Sequence, residues 1–157
     1  DFVGIHVELV KDVSIDTGLS NDKVIASVAS AQSLDITLAA GDDDLFVGYA
    51  STTVTQLAID AGTGHDDVLL TQVTAGFASV NLDFGNDNLL VTGSGAYVQL
   101  QVEGGGGTDS LVAAGGVGLI LDSGIDDDEV SHQELVDYVM GLIDAISVAG
   151  FELSDLN

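Results

Sequence analysis

An aspartate stands two residues ahead of an aliphatic residue, behind a polar, mostly glycine-bearing turn, at Asp22, Asp43, Asp66, Asp87, Asp109 and Asp128. The surrounding segments are VSIDTGLSNDKV, ITLAAGDDDLFV, LAIDAGTGHDDVLL, VNLDFGNDNLLV, LQVEGGGGTDSLV and LILDSGIDDDEV. Carboxylates in turns rich in backbone carbonyls are hard oxygen donors, and Ca2+ takes about six to eight such ligands in flexible geometry. The glycines at Gly62, Gly64, Gly105 and Gly107 allow the backbone to bend so that carbonyls can face an ion. The triple-aspartate runs Asp42–Asp44 and Asp126–Asp128 are the densest candidates. Asp43, Asp44, Asp66, Asp87, Asp109, Asp126 and Asp128, with those four glycines, are therefore the candidate metal ligands.

Two readings without a specific metal stand beside this one. Asp and Asn in turns hydrogen-bond their own backbone while glycine supplies positive φ. A strongly acidic surface is also a solubility or halophilic adaptation.

The intervals between the six aspartates follow from their numbers: 21, 23, 21, 22 and 19 residues. Self-similarity at such a period denotes a solenoid. Each copy runs from an apolar alternation, through the turn, into another apolar alternation, which is the period of half-buried strands. Similar turns stack at the strand spacing, which favours parallel coils over an antiparallel sandwich. The expected fold is all-β: a parallel β-solenoid of about six ~22-residue rungs over residues 1–130. The inward columns are expected to be Leu45, Val68, Leu89, Leu111 and Leu38, Ile59, Leu82, Val102.

In such a stack the turn aspartates form one column, and Asp16, Asp60, Asp83, Glu103 and Asp122 a second, broken at Ala39. Carboxylates ~4.8 Å apart repel by about 0.9 kcal/mol in bulk water and several-fold more at a partly dry surface. Cations between them would relieve that repulsion.

After Asp128 the period changes to that of a helix. Ser131 and Glu134 form a capping box, Leu135, Val139, Leu142, Ile143 and Ile146 share a face, and Gly150 is placed to stop the helix. Residues 131–157 are expected to be an amphipathic helix and tail strand that cap the last rung or dock another subunit.

Gly62-Thr-Gly64-His-Asp66-Asp-Val68 and Gly105-Gly-Gly107-Thr-Asp109-Ser-Leu111 resemble the haemolysin-type calcium-binding (RTX) nonapeptide, GGxGxDx followed by an aliphatic residue. That resemblance implies a secreted, calcium-ordered β-roll in which Asp66, Asp109 and the glycine carbonyls bind Ca2+ between turns. Asp43 and Asp87 match a shortened form; Asp22 and Asp128 lack the glycine two places ahead. RTX nonapeptides follow one another directly, two per coil, whereas this turn recurs once in ~22 residues.

Composition narrows the function. The 157 residues carry 26 acids, two lysines and no arginine, a formal charge of −24, yet 46% are apolar. Such a chain lacks the cations that nucleic acid requires and has too much alternating apolar sequence to be disordered. No cysteine is present to form disulfides or thiolate metal sites. No apolar run is long enough to span a bilayer. The opening at Asp1 reads as a processed protein or a segment of a longer one.

An enzyme is the weaker expectation. A β-helix lyase needs basic groups that Lys11 and Lys23 alone do not supply, and His6, His65 and His132 lie in unrelated contexts. Tryptophan is absent and the three tyrosines are scattered, which leaves few sugar platforms, although paired carboxylates for glycoside hydrolysis are available everywhere. Ice binding needs a regular threonine array, and Thr52-Thr53-Val54-Thr55 has no counterpart in later copies. The expected role is a non-enzymatic, extracellular structural or adhesive module, at the cell surface or in a self-assembling filament, that binds Ca2+ and associates end to end.

Overall fold

The computed structural model describes residues 2–93, 95–113 and 118–122. These build a coil of parallel strands in two ladders. The first ladder contains β1 (Phe2–Leu9), the front half of β3 (Lys23–Thr37), β4 (Asp44–Val47), β6 (Asp67–Thr71), β8 (Asn88–Thr92) and β10 (Ser110–Ala113). The second contains β2 (Asp12–Asp16), the rear half of β3, β5 (Thr52–Asp60), β7 (Val73–Asn81), β9 (Tyr97–Glu103) and β11 (Gly118–Asp122). Every pairing is parallel, and equivalent residues are about 21 apart, as the turn spacing predicts. The expected helix and tail over 131–157 lie outside the described residues.

The core fills the space between the ladders. Val24, Leu45, Val68, Leu89 and Leu111 stack in one inward column, each essentially solvent-free. The other expected column is corrected by the register. Ile15, Ile36, Ile59, Val80 and Val102 stack together. Leu38 and Leu82 belong two residues further on, each donating its N–H to the next rung, at Asp60 and Glu103. Positions two residues apart along a strand return to the same face, so Leu38 and Ile36, or Leu82 and Val80, are equally inward by pattern.

The register also fixes where the coil varies in length. Ile15, Ile36, Ile59, Val80 and Val102 all stand seven positions ahead of their turn aspartate, so the aspartate turn has constant length. Insertions fall at the opposite corner, between the first ladder and the second. The widest step, Ala31 to Val54, follows the corner Gly48–Ser51. There the buried Thr52 hydroxyl accepts the Val28 N–H at 3.1 Å, and the buried Ser27 hydroxyl accepts from Ala50 at 3.3 Å. These side chains satisfy backbone donors that the inserted residues remove from the ladder.

The two ladders differ on their outer sides. The second carries an outward column of polar or small residues, Ser14, Asp35, Ala58, Ser79 and Gln101, and its exposed apolar residues, Phe77 and Val98, stand apart from that column. Strands of the first are instead continuous apolar runs, Val24-Ile-Ala, Leu45-Phe-Val, Val68-Leu-Leu and Leu89-Leu-Val. Such runs are the mark of strands buried on both faces, not the alternation expected of them.

Candidate functional site

The constant turn is where the acidic chemistry concentrates. Backbone bridges run through its tip from Leu19 to Ala40, Thr63, Phe84 and Gly106, so successive turns superpose. The residue before each bridge, Gly18, Ala39, Gly62, Asp83 and Gly105, has positive φ. Asp83 therefore belongs to this conformational column and not to the second acidic column. That second column reads Asp16, Thr37, Asp60, Asn81, Glu103 and Asp122. Neutral Thr37 and Asn81 separate its carboxylates over the first four intervals, which weakens the repulsion expected of it.

The glycines at Gly64 and Gly107 have a steric cause. A Cβ on Gly64 would fall on the carbonyl of Gly41, and one on Gly107 on the carbonyl of Gly85. Gly62 and Gly105 are pressed in the same way against the carbonyls of Ala39 and Asp83. Backbone thus packs directly on backbone, which only glycine permits. The Gly62 carbonyl also accepts the Phe84 N–H at 3.0 Å.

The turn aspartates form the expected column, and it faces inward. Asp22, Asp43, Asp66, Asp87 and Asp109 are each at most 1% exposed. The N–H of each of the first four donates to Oδ1 of the aspartate in the following rung: Asp22 to Asp43 at 2.6 Å, Asp43 to Asp66 at 2.9 Å, Asp66 to Asp87 at 2.8 Å and Asp87 to Asp109 at 2.9 Å. Their carbonyls accept N–H groups of the next exit strand, as Asp66 does from Asn88.

Sequence reasoning missed a second ladder one residue earlier. The N–H of Asp42 donates to Asn21 Oδ1, His65 N–H to Asp42 Oδ1, Asn86 N–H to His65 Nδ1 and Thr108 N–H to Asn86 Oδ1, at 2.9–3.0 Å. These bonds run toward the preceding rung, opposite to the aspartate ladder. The signal was available: every described position before a turn aspartate carries a side-chain acceptor. His65 is exposed here, and accepting at Nδ1 assigns its proton to Nε2.

The triple run Asp42–Asp44 does not converge. Asp42 lies in the exposed outer ladder, Asp43 is buried, and Asp44 pairs with Lys23. Lys11 pairs with Asp12 at 3.5 Å. Asp126 and Asp128 lie outside the described residues. Among the described residues no three His, Cys, Asp or Glu side chains are gathered in a metal-binding group, and no helix is long and apolar enough to cross a membrane.

One feature of the column lacks a partner. Oδ2 of Asp43, Asp66 and Asp87 is buried without a hydrogen bond. Burial raises the Asp43 carboxyl above the usual range and pushes Asp66 up to about 7 and Asp87 up to about 6. The ladder N–H opposes each rise, and neighbouring aspartates reinforce it.

No protein-family model, curated protein or solved structure matches this chain.

Proposed function

We propose that this chain is a non-enzymatic structural or adhesive solenoid module of the extracellular space, whose acidic turns take up Ca2+. The observation that carries the structural part is the distribution of the acids. The fold orders the turn carboxylates into a buried column that knits rungs together, and spreads most of the others over its outer surfaces. Among the described residues no three acidic or histidine side chains are gathered into one group.

The Ca2+ part rests on the buried Oδ2 atoms of Asp43, Asp66 and Asp87, which have no donor facing them. A buried carboxylate oxygen calls for a proton or a cation, and Asp43, Asp66, Asp87 and Asp109 are the residues that would hold the ion. Bound Ca2+ would supply the positive charge that offsets desolvation and mutual repulsion. The likeness of GTGHDDV and GGGTDSL to RTX turns supports the same ion and a secreted setting. Asp44 contributes to the Lys23 pair instead, and Gly62 and Gly105 act through backbone packing.

End-to-end association is the corresponding partner proposal. The outer edges of β1 and β2 meet no other described strand, and Leu9 is 79% exposed. A strand edge of this kind is a template for a neighbouring chain.

Calorimetric titration with Ca2+ and with Mg2+, on the native chain and on Asp66→Asn, tests the ion. Asn keeps the Oδ1 acceptor but removes the charge. Heat with Ca2+ and a raised melting temperature, both reduced in Asp66→Asn, are expected. Absence of both effects in the native chain would leave the ladder as a purely structural device. Negative-stain microscopy and sedimentation in Ca2+ test association.

A further inference from the structure

The outer side of the first ladder carries a continuous apolar column: Ile25, Phe46, Leu69, Leu90 and Val112, in register across five rungs. Their neighbours Val24, Leu45, Val68, Leu89 and Leu111 point into the core, so alternation directs this column away from it. Residues facing outward from a solenoid are ordinarily wet, as Asp35 and Ala58 are on the second ladder. Yet Ile25 is 4% exposed, Leu69 2%, Leu90 1% and Val112 3%. All eleven described strands lie within the two ladders, and none is left over to lie across this face.

We propose that the occupant of this face is the chain's own amphipathic segment Ser131–Ser147, lying along the side of the solenoid and not over its end. Three observations converge on it. The first is length: five stacked positions span ~19 Å at the strand spacing, and 17 helical residues span ~25 Å. The second is pattern, because Leu135, Val139, Leu142, Ile143 and Ile146 recur on one helical face and offer an apolar stripe to an apolar column. The third is chain path. In each described rung the aspartate turn carries the chain from the second ladder to the first within seven residues, as from Glu103 to Ser110. Asp122, the last described residue, pairs with Glu103 in the final described rung, the rung that leads into Val112, and Ser131 follows it by nine residues. A second copy of the chain is a poorer occupant, since each brings a formal charge of −24, whereas a tethered segment is present at high effective concentration.

Thiol labelling of the full chain tests this, because the native sequence has no cysteine. Leu69→Cys reports the outward column, Ala58→Cys an exposed outward site on the other ladder, and Val68→Cys the core. With the segment in place, Leu69→Cys labels at least about tenfold more slowly than Ala58→Cys. Adding Leu142→Asp and Ile143→Asp brings its rate close to that of Ala58→Cys, while Val68→Cys stays protected. If those charges also expose Val68→Cys, the milder pair Leu142→Ala and Ile143→Ala is used, with the same order of rates expected. Equal labelling at Leu69→Cys and Ala58→Cys overturns the proposal. So does protection that the segment variants leave unchanged, or that rises with protein concentration, which would assign the face to a second copy.

Discussion

The backbone N–H of Asp66 donates to Oδ1 of Asp87, one rung further on, at 2.8 Å, while Oδ2 of Asp87 is buried without a hydrogen bond. The same carboxyl is both a rung-to-rung tie and an electrostatic burden. Its two oxygens separate the two roles, and this makes the site experimentally divisible.

In metal-free buffer, stability is expected to rise as pH is lowered from 8 toward 5. Burial holds Asp66 at about 7 and Asp87 at about 6, above the unfolded value of about 3.9. The folded chain therefore binds more protons than the unfolded chain across that window. Stability is least above pH 7, increases as pH falls through 7 and 6, and is fully recovered only below about pH 4. Urea denaturation at a series of pH values measures it. Asp66→Asn should flatten the profile, whereas Asp35→Asn, which removes an equal charge from an exposed strand position, should not.

Gly64→Ala and Gly107→Ala are expected to destabilise the chain by at least about 1–3 kcal/mol, since the new Cβ falls on a neighbouring carbonyl at a positive φ. Gly18→Ala shares the positive φ but meets no atom within 4 Å, and should cost only about 1–2 kcal/mol. Chemical denaturation of the three variants separates packing from dihedral strain.

His65→Ala should cost about 0.5–1.5 kcal/mol by removing the acceptor for the Asn86 N–H. His65→Asn should restore much of that loss, because Asn at the equivalent place in the next rung accepts from Thr108. Thermal melts of both variants at pH 8 compare them directly.

Leu89→Ala and Leu38→Ala each remove a fully interior side chain and should cost about 2–5 kcal/mol. Val68→Asp buries a charge between rungs and should prevent folding, visible as loss of the β-sheet circular dichroism signal. Leu19→Ala, at an 84% exposed turn tip, should change stability by no more than about 0.5 kcal/mol.

The parallel coil and the turn-aspartate column were legible because each repeat spells out both a strand period and a turn. Columns built on Val68 and Asp66 follow from spacing alone. The second column failed because Leu38 and Ile36 share a face, so hydrophobicity cannot tell one from the other. Only the ladder hydrogen bonds fix which of them stacks on Ile59. That two-residue slip moved Asp83 into an acidic column. The direction of the aspartates was also hidden. A carboxylate in a glycine-rich turn reads as exposed, and its burial depends on N–H donors from another rung about 21 residues away. Leu69 and Leu90 carried a plainer signal, since three apolar residues in succession leave no wet face.

Confining the insertions to the corner that contains Gly48–Ser51 makes the solenoid a splice-tolerant scaffold. A cut at one such corner and a join at the next removes or adds one whole rung, with the aspartate turn intact and both side-chain ladders still in phase. Extra residues placed there emerge where the coil already accommodates four more than its shortest described step, that from Leu100 to Leu119. A peptide grafted at this corner would be displayed beside the stack without interrupting it, and a cassette running from one corner to the next should be exchangeable among rungs.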